Sequence, residues 1–416
     1  MDSNNREEQH KTSRSKEEND QSLPAASTGI ESLPREIMLQ ILSKLPISSL
    51  VQFKYVCKAW RILAQDPYLL DHLYPNQWTE DNQLCLIFQS NYPIKNQLYF
   101  VDFDAIYSGK ETPVKKIEMP FCSSSPELDV VSSCNGLLCL SSDNSSITSV
   151  YNPFTREYRE LPNTNQYPKQ SVVLGFGFHP SAKEYKVVKI IYYWSNELTN
   201  LRHGIRRFSF PKSEVQVLSL GSSSWRSLGK TSYYLDDWPG QVLLDGRIHW
   251  ESRPRRYRPH RNIISFDLAD EQFREVPKPD DLILGNLVYL AVLRGCLSIG
   301  LYVNYGKLEI WVMKEYGLKE SWAKVFNIGS YVPKALEQGL ERSFMISRIA
   351  KRGSFNRVLY VLKNGKILLQ YKCKALVLYD PKTEDFKDVG FKEMPNWCET
   401  VVHVGNFNQI DTIFGL

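Results

Sequence analysis

VYNPFTREYRELP, residues 150–162, returns twice in the chain, as SFDLADEQFREVP at 265–277 and as LYDPKTEDFKDVG at 378–390. In each copy an aromatic residue is followed by Asn or Asp, an acidic residue stands close to a second aromatic, and an aliphatic closes the unit. Tyr151 to Leu161, Phe266 to Val276 and Tyr379 to Val389 each span ten positions. The pattern predicts a strand, a tight polar turn and a returning strand. The turns fall at Asn152-Pro153, Asp267-Leu268 and Asp380-Pro381, where Asn or Asp can bond nearby backbone and Pro presets φ. Ahead of each copy stands a hairpin dipeptide, Asn135-Gly136, Asp245-Gly246 or Asn364-Gly365, able to supply the positive φ angles of a type I′ turn.

Working outward, the chain from Leu84 onward is a series of short alternating runs such as LCLIFQS, SVVLGFGF and YKVVKIIYYW, separated by turn residues. This is an all-β texture. Units of a second kind lie between the three copies: EVQVLSLGSSSWRSL at 214–228 and KLEIWVMKEYGLKESWAKV at 307–325. In these a strand leads through a polar turn to Trp225 or Trp322. Strand sets recurring every forty to fifty residues predict a β-propeller. Six blades are expected, near 84–120, 127–162, 170–228, 240–277, 285–328 and 343–390. The run ETVVHVGNF, Glu399 to Phe407, is expected to return and complete the first blade, which removes an open sheet edge.

Ahead of the β region the texture is different. Residues 30–74 read IESLPREIMLQILSKLPISSLVQFKYVCKAWRILAQDPYLLDHLY. Ile37, Ile41 and Leu45 are four apart, with Met38 and Leu42 one position on, which makes a wide apolar helical stripe. Leu33-Pro34 opens this helix, Pro being well tolerated in a first turn. Leu45-Pro46 ends it, because the residue before Pro leaves the helical region. Two further helices are expected, from Ser48 to Lys54 and from Val56 to Ala64. Three small helices in about forty residues bury too little to stand comfortably alone. They either pack on the rest of the chain or are covered by a partner. The expected class is therefore α+β multidomain: a tail at 1–29, the helical unit at 30–74, a linker at 75–83 and the propeller-like domain at 84–416. The tail is nearly free of hydrophobics and rich in charge, so disorder is expected there.

Composition narrows the function. A net charge of +5 over 416 residues is too mild to demand a nucleic-acid partner. No apolar run reaches the ~18 residues of a membrane span. The polar N-terminus has no secretory pattern. Eight Cys without a framework fit reduced thiols and an intracellular setting, cytoplasm or nucleus. No C-x-x-C pair or His cluster points to a metal, and no cofactor is expected. Cys134 and Cys139 flank a hairpin turn and read as packing.

Taken in order, LPREIMLQILSKLPISSLVQFKYVCKAW resembles an F-box. It has a Leu-Pro entry, an Ile-x-x-x-Ile-Leu helix, a Leu-Pro break, a Ser-Leu helix and a Val-Cys-Lys-x-Trp helix. The succession CNGLLCL, VYNPFTREYRELP and LGFGFHPSAKEYKVVKI resembles the F-box-associated, kelch-like domain of the large plant F-box family, although neither a WD dipeptide nor the kelch Gly-Gly pattern is present. The resemblance implies docking on a Skp-type adaptor and, through it, on the cullin and RING subunits of an SCF-type ubiquitin ligase. Carried over by position, the adaptor contacts are Leu33, Pro34, Ile37, Ile41, Leu42, Leu45, Pro46, Leu50, Val56 and Trp60. Some of these belong to the unit's own core, and the sequence does not separate the two groups.

Enzymatic signals are weak. Gly175-Phe176-Gly177 lacks the continuation of a nucleotide loop and reads as close strand packing. Asp236 and Asp237 beside Trp238 read as a solvated loop before they read as paired carboxylates. No nucleophile elbow appears, and Cys57 reads as a small packed hydrophobe. The excursion that stands out is RPRRYRPHR, Arg253 to Arg261, between strands ending at Trp250 and resuming at Ile263. It is either a solvated loop or a binding insert, since Arg forks grip carboxylate and phosphate. For RNA, Tyr257 alone is a thin stacking platform. The candidate target-binding residues are Arg253, Arg255, Arg256, Tyr257, Arg258 and Arg261. The expected function is a non-catalytic substrate receptor of an SCF-type ligase that presents a target protein. The competing expectations are an interaction protein whose propeller binds a ligand, sugar or RNA, and a propeller enzyme with acids clustered at its channel.

Overall fold

The computed structural model describes residues 33–45, 49, 60, 62–63, 84–92, 96–108, 112–119, 128–142, 147–164, 167, 170–193, 211–236, 240–253, 261–279, 288–303, 307–337, 356–405 and 410–414. The expected tail at 1–29, the linker at 75–83 and most of the second and third helices lie outside the described residues.

Six four-stranded antiparallel sheets follow one another along the chain. Blade one contains β1 (Leu84–Tyr92), β2 (Gln97–Asp102) and β3 (Lys115–Ile117). Blade two contains β4 (Leu128–Cys134), β5 (Leu137–Ser142), β6 (Thr148–Tyr151) and β7 (Tyr158–Glu160). Blade three contains β8 (Ser171–His179), β9 (Glu184–Tyr193), β10 (Lys212–Ser219) and β11 (Arg226–Gly229). Blade four contains β12 (Val242–Leu244), β13 (Arg247–Glu251), β14 (Ile263–Asp267) and β15 (Phe273–Val276). Blade five contains β16 (Val288–Leu293), β17 (Cys296–Val303), β18 (Lys307–Met313) and β19 (Trp322–Ile328). Blade six contains β20 (Asn356–Val361), β21 (Ile367–Tyr371), β22 (Ala375–Asp380) and β23 (Asp385–Val389). The last strand, β24 (Trp397–Val404), returns to pair with β1 from Leu84↔Val404 to Tyr92↔Trp397. It becomes the first strand of blade one. The first strands neighbour one another around the axis as β24–β4–β8, through β13 into blade four, and on as β12–β16–β20–β24. The chain is a six-bladed propeller closed by its final strand.

The three sequence copies are one turn built three times. Asn152 Oδ1 accepts from the backbone N–H of Phe154 at 2.9 Å, Asp267 Oδ1 from Ala269 at 2.9 Å, and Asp380 Oδ1 from Lys382 at 3.0 Å. Four positions on, Arg156, Glu271 and Glu384 all take left-handed backbone, with φ of 63°, 60° and 58°. The units of the second kind interlock with them. Trp225 Nε1 donates to the Pro162 carbonyl at 2.7 Å, and Trp322 Nε1 to the Pro277 carbonyl at 2.8 Å. Each Trp thus ties an odd blade to the end of the even blade before it.

The hairpins between first and second strands are less uniform than the dipeptides predict. Asn135-Gly136 (φ 44°, 81°) and Asp245-Gly246 (φ 47°, 73°) have the type I′ signs. Arg294-Gly295 (φ 48°, 79°) has them too, without Asn or Asp. At Asn364-Gly365 only Gly365 is positive; there Gly365 N–H bonds the Leu362 carbonyl at 2.9 Å in a longer connection. Alternation also gives way in the middle strands. β5, β14 and β21 are buried along their whole length, since neighbouring blades cover both faces, whereas β7 and β11 keep exposed positions. Close blade stacking explains Gly175 and Gly177, where a Cβ would overlap Trp250 and Leu243.

Polar side chains fasten the blades near the axis. Gln89 of blade one accepts from Val130 N–H at 2.9 Å and donates to the Leu128 carbonyl of blade two. Gln241 bridges the Phe176 backbone of blade three and Ser132 of blade two. At the closing seam, Gln370 Nε2 reaches the Cys398 carbonyl at 2.8 Å and Thr400 Oγ1 at 3.0 Å, while Arg357 bonds the Thr400 carbonyl at 2.8 Å.

Before the propeller, α1 (Arg35–Leu42) begins one residue after Pro34, whose carbonyl accepts from Ile37 and Met38 N–H. The helix ends earlier than Leu45-Pro46, where Ser43 Oγ bonds the Gln40 carbonyl at 2.8 Å. Leu39 and Leu42 are buried with Cys85, Ile87, Leu98, Leu138, Leu140, Tyr151 and Phe154, in the wedge between blades one and two.

Candidate functional site

α1 is apolar on more than one side, and its sides have different fates. Residues three apart share a helix face, whereas residues two apart lie on opposite ones. Leu39 and Leu42, 2% and 1% exposed, point into the propeller wedge. Leu33, Ile37 and Ile41 point outward at 37%, 42% and 49% exposure, and Pro34 is exposed with them. Ile62, at 60%, is a further exposed apolar side chain of the same N-terminal unit.

The expected adaptor set is therefore divided. Leu33, Pro34, Ile37 and Ile41 have surface to offer. Leu42 is corrected to the internal core, because a side chain so fully enclosed has none. Leu45 and Trp60 are partly buried against the same wedge. Pro46, Leu50 and Val56 lie outside the described residues. Leu39 was absent from the predicted stripe, yet it carries as much of the attachment as Leu42.

The second candidate lies on the connection from β13 to β14 in blade four. That is three blades from blade one, across the ring. Ser252 N–H bonds the Asn262 carbonyl at 2.8 Å, and Asn262 N–H returns to Ser252 Oγ at 2.9 Å, so the base of the arginine loop is closed. Arg253 and Arg261 flank this closure and converge on Asp236. Arg253 NH2 lies 3.0 Å from Asp236 Oδ1, and its guanidinium sits 5.2 Å from the centre of the Tyr234 ring. Arg261 NH1 lies 3.5 Å from Asp236 Oδ2 and 3.1 Å from Glu251 Oε2. Lys278 Nζ bonds the Arg261 carbonyl at 2.7 Å. Burial pushes the Glu251 carboxyl up to about 7, against the pull of Arg261.

Arg255, Arg256, Tyr257 and Arg258 lie outside the described residues, as do Asp237 and Trp238. Asp236 is corrected from a solvated loop residue to a half-enclosed ion-pair partner, 16% exposed at its side chain. Its arginine partners are seventeen and twenty-five positions away, a distance at which no local motif reveals a pairing.

Among the described residues no three His, Cys, Asp or Glu gather as metal ligands. Cys134 and Cys139 are free thiols, buried and pushed up to about 12 by that burial. His249 and His403 are fully enclosed, and desolvation lowers them to about 4 and about 3.

A helix that buries one apolar face in a propeller and exposes another is found here with a family profile on each side of the junction. The profile described as F-box associated beta propeller domain matches residues 83–413, and one described as F-box-like matches 30–76. The chain belongs to the F-box-associated propeller family. The F-box protein At3g07870 of Arabidopsis thaliana is 46% identical over 397 residues, covering 92% of this chain and 93% of that protein. The F-box protein CPR1 of the same plant is 28% identical over 387 residues, with 88% and 86% covered. Among solved structures, an oligogalacturonate lyase from Vibrio parahaemolyticus matches at 8% identity and a TM-score of 0.42 over 76% of each chain. That level of likeness carries no argument about chemistry. In general, an F-box implies a Skp-type adaptor as partner.

Proposed function

We propose that this F-box protein is the substrate-recognition subunit of an SCF-type ubiquitin ligase. In this reading the outward face of α1, with Leu33, Pro34, Ile37 and Ile41, docks the Skp-type adaptor, which brings the cullin and RING subunits. The propeller, kelch-like in character, holds a target protein on the side across the ring from α1. Catalysis is then proximity: the receptor raises the effective concentration of a target lysine near the charged conjugating enzyme. No residue of this chain takes part in bond making. The work is done inside the cell, in cytoplasm or nucleus.

The observation that carries the reading is the division of α1. A helix already anchored by Leu39 and Leu42 has no structural need for three further large apolar side chains on its outer side. Burying each in a partner contributes roughly 1.5–3 kcal/mol at full burial. The test is capture of a Skp-type adaptor by the full chain and by an Ile37→Ala/Ile41→Ala variant. Capture is expected to fall at least about tenfold, with the propeller's circular dichroism unchanged. Undiminished capture by a folded variant overturns the docking assignment.

A further inference from the structure

Cys373 and Cys398 meet where the ring closes. Cys398 lies on β24, and its backbone N–H donates to the Cys373 carbonyl at 2.8 Å. Standard bond lengths then keep the two Cα atoms within about 7 Å of each other. Disulfides bridge Cα separations of roughly 4.4–6.8 Å. The side chains are neighbours too: burial pushes the Cys398 thiol up, and a charge on Cys373 would push it further. Both residues are enclosed, at 7% and 0% exposure, and both are thiols in this structure. Cys134 and Cys139, by contrast, stand diagonally in their hairpin, opposite Leu137 and Ser132.

The turn that holds Cys373 points the same way. Lys372 and Cys373 have φ of 48° and 51°, and Lys374 N–H bonds the Tyr371 carbonyl at 2.9 Å. These are the signs of a type I′ turn, whose second central position favours Gly. A thiol therefore stands where the backbone prefers no side chain. The turn joins β21 to β22 of blade six, and the strand it touches is the one that closes blade one. Gln370, at the end of β21, already holds that strand through the Cys398 carbonyl.

We infer that Cys373 and Cys398 form a reversible disulfide, a redox-operated clasp that fastens the closing strand to blade six. The oxidant is a peroxide. Cys373, the less enclosed of the two, reacts first: its sulfur takes one peroxide oxygen to give a sulfenic acid, and one water leaves. The Cys398 sulfur then attacks that sulfur. The S–S bond forms as the S–O bond breaks, and the oxygen departs with the Cys398 proton as a second water. Two thiols and one peroxide thus become one disulfide and two waters. A small thiol reverses the bond by exchange, so in a reducing compartment the clasp is transient. While it is closed, β24 stays tied to blade six even when the Gln370 and Arg357 bonds open. States with the ring open lose freedom, which favours the closed ring.

Exposing the full chain to hydrogen peroxide, capping the remaining thiols and mapping its peptides by mass spectrometry tests this. The expected product is a linked Cys373–Cys398 pair that dithiothreitol releases. Amides of β24 are expected to exchange at least about tenfold more slowly in the linked form than in the reduced one. Cys373→Gly suits the left-handed turn and should fold, with neither the link nor the slowing. A Cys373 that stays a thiol, or ends as a sulfinic acid, with no link to Cys398 overturns the proposal. So does a linked form whose β24 amides exchange at the reduced rate, or slowing by peroxide that persists in Cys373→Gly.

Discussion

The wedge beneath α1 and the base of the blade-four loop are both places where the chain meets itself, but they leave different things over. In the wedge, Leu39 and Leu42 are consumed by blades one and two, and the surplus is apolar surface on the helix's other side. In blade four, the flanking arginines are paired with Asp236 and Glu251, and what stays at the surface is guanidinium, about a third of each side chain. The surface left by the first is hydrophobic, and that left by the second is charged. One chain thus presents two surfaces of different chemistry, three blades apart on a closed ring.

The largest effect should separate the two faces of α1. Leu39→Ala or Leu42→Ala removes buried methylene groups and should cost about 2–5 kcal/mol of local stability, read by amide exchange across the helix. Ile37→Ala or Ile41→Ala should stay within ~0.5 kcal/mol on the same measurement. Equal losses from the two pairs would erase the distinction between an anchored face and a docking face.

A smaller effect separates the regions by pH. His403, its ring tilted against Phe154 beside the wedge, is lowered from 6.5 to about 3 by burial, and His249 from 6.5 to about 4. The unfolded chain takes up these protons below pH 6.5 and the folded chain does not, so stability falls as pH drops from 6.5 toward 4. Glu251 has the opposite sign. Its folded carboxyl is raised from 4.5 to about 7, so its contribution is full below pH 4.5 and is lost as pH rises through 7. Each group contributes at most about 1.4 kcal/mol per pH unit. Between pH 4.5 and 6.5 the net slope should be that of one histidine. Urea titrations across this window should steepen in Glu251→Gln and flatten in His403→Gln. A Glu251→Gln slope equal to wild type would remove Glu251 from the balance.

The smallest effect concerns the arginines between the flanks. Changing Arg255, Arg256 and Arg258 to Ser should leave adaptor capture and Tm nearly unchanged. Target capture should fall by ~0.2–1 kcal/mol per exposed charge pair lost, most clearly at low salt. The same yield of the same captured proteins in low salt would return the loop to a solvated connection.

The ring was legible because its turns repeat: Asn152, Asp267 and Asp380 each announce a local hydrogen bond that sequence alone can foresee. The closing strand was legible as a leftover run with no partner of its own. What stayed hidden depends on contacts between distant segments. The spacing of Ile37, Ile41 and Leu42 shows that α1 is apolar, but which side meets the propeller is set by Ile87 and Leu140, far along the chain. Asp236 looked solvated because its partners come from across a hairpin. Arg294-Gly295 showed that tertiary context can impose a type I′ turn on a dipeptide that does not advertise one.

Closure by the final strand also has a consequence in time. Tyr92 and Trp397 are neighbours in the sheet, yet at about 5–20 residues per second a ribosome needs on the order of half a minute to emit the chain between them. Through that interval β1 presents a bare edge able to pair with any passing strand. The nascent protein already displays α1 and the blade-four arginines while its ring is still open. A message with a stop codon just ahead of Trp397 would therefore encode both surfaces on a body that never closes, and such a product should be found among aggregates or bound to chaperones.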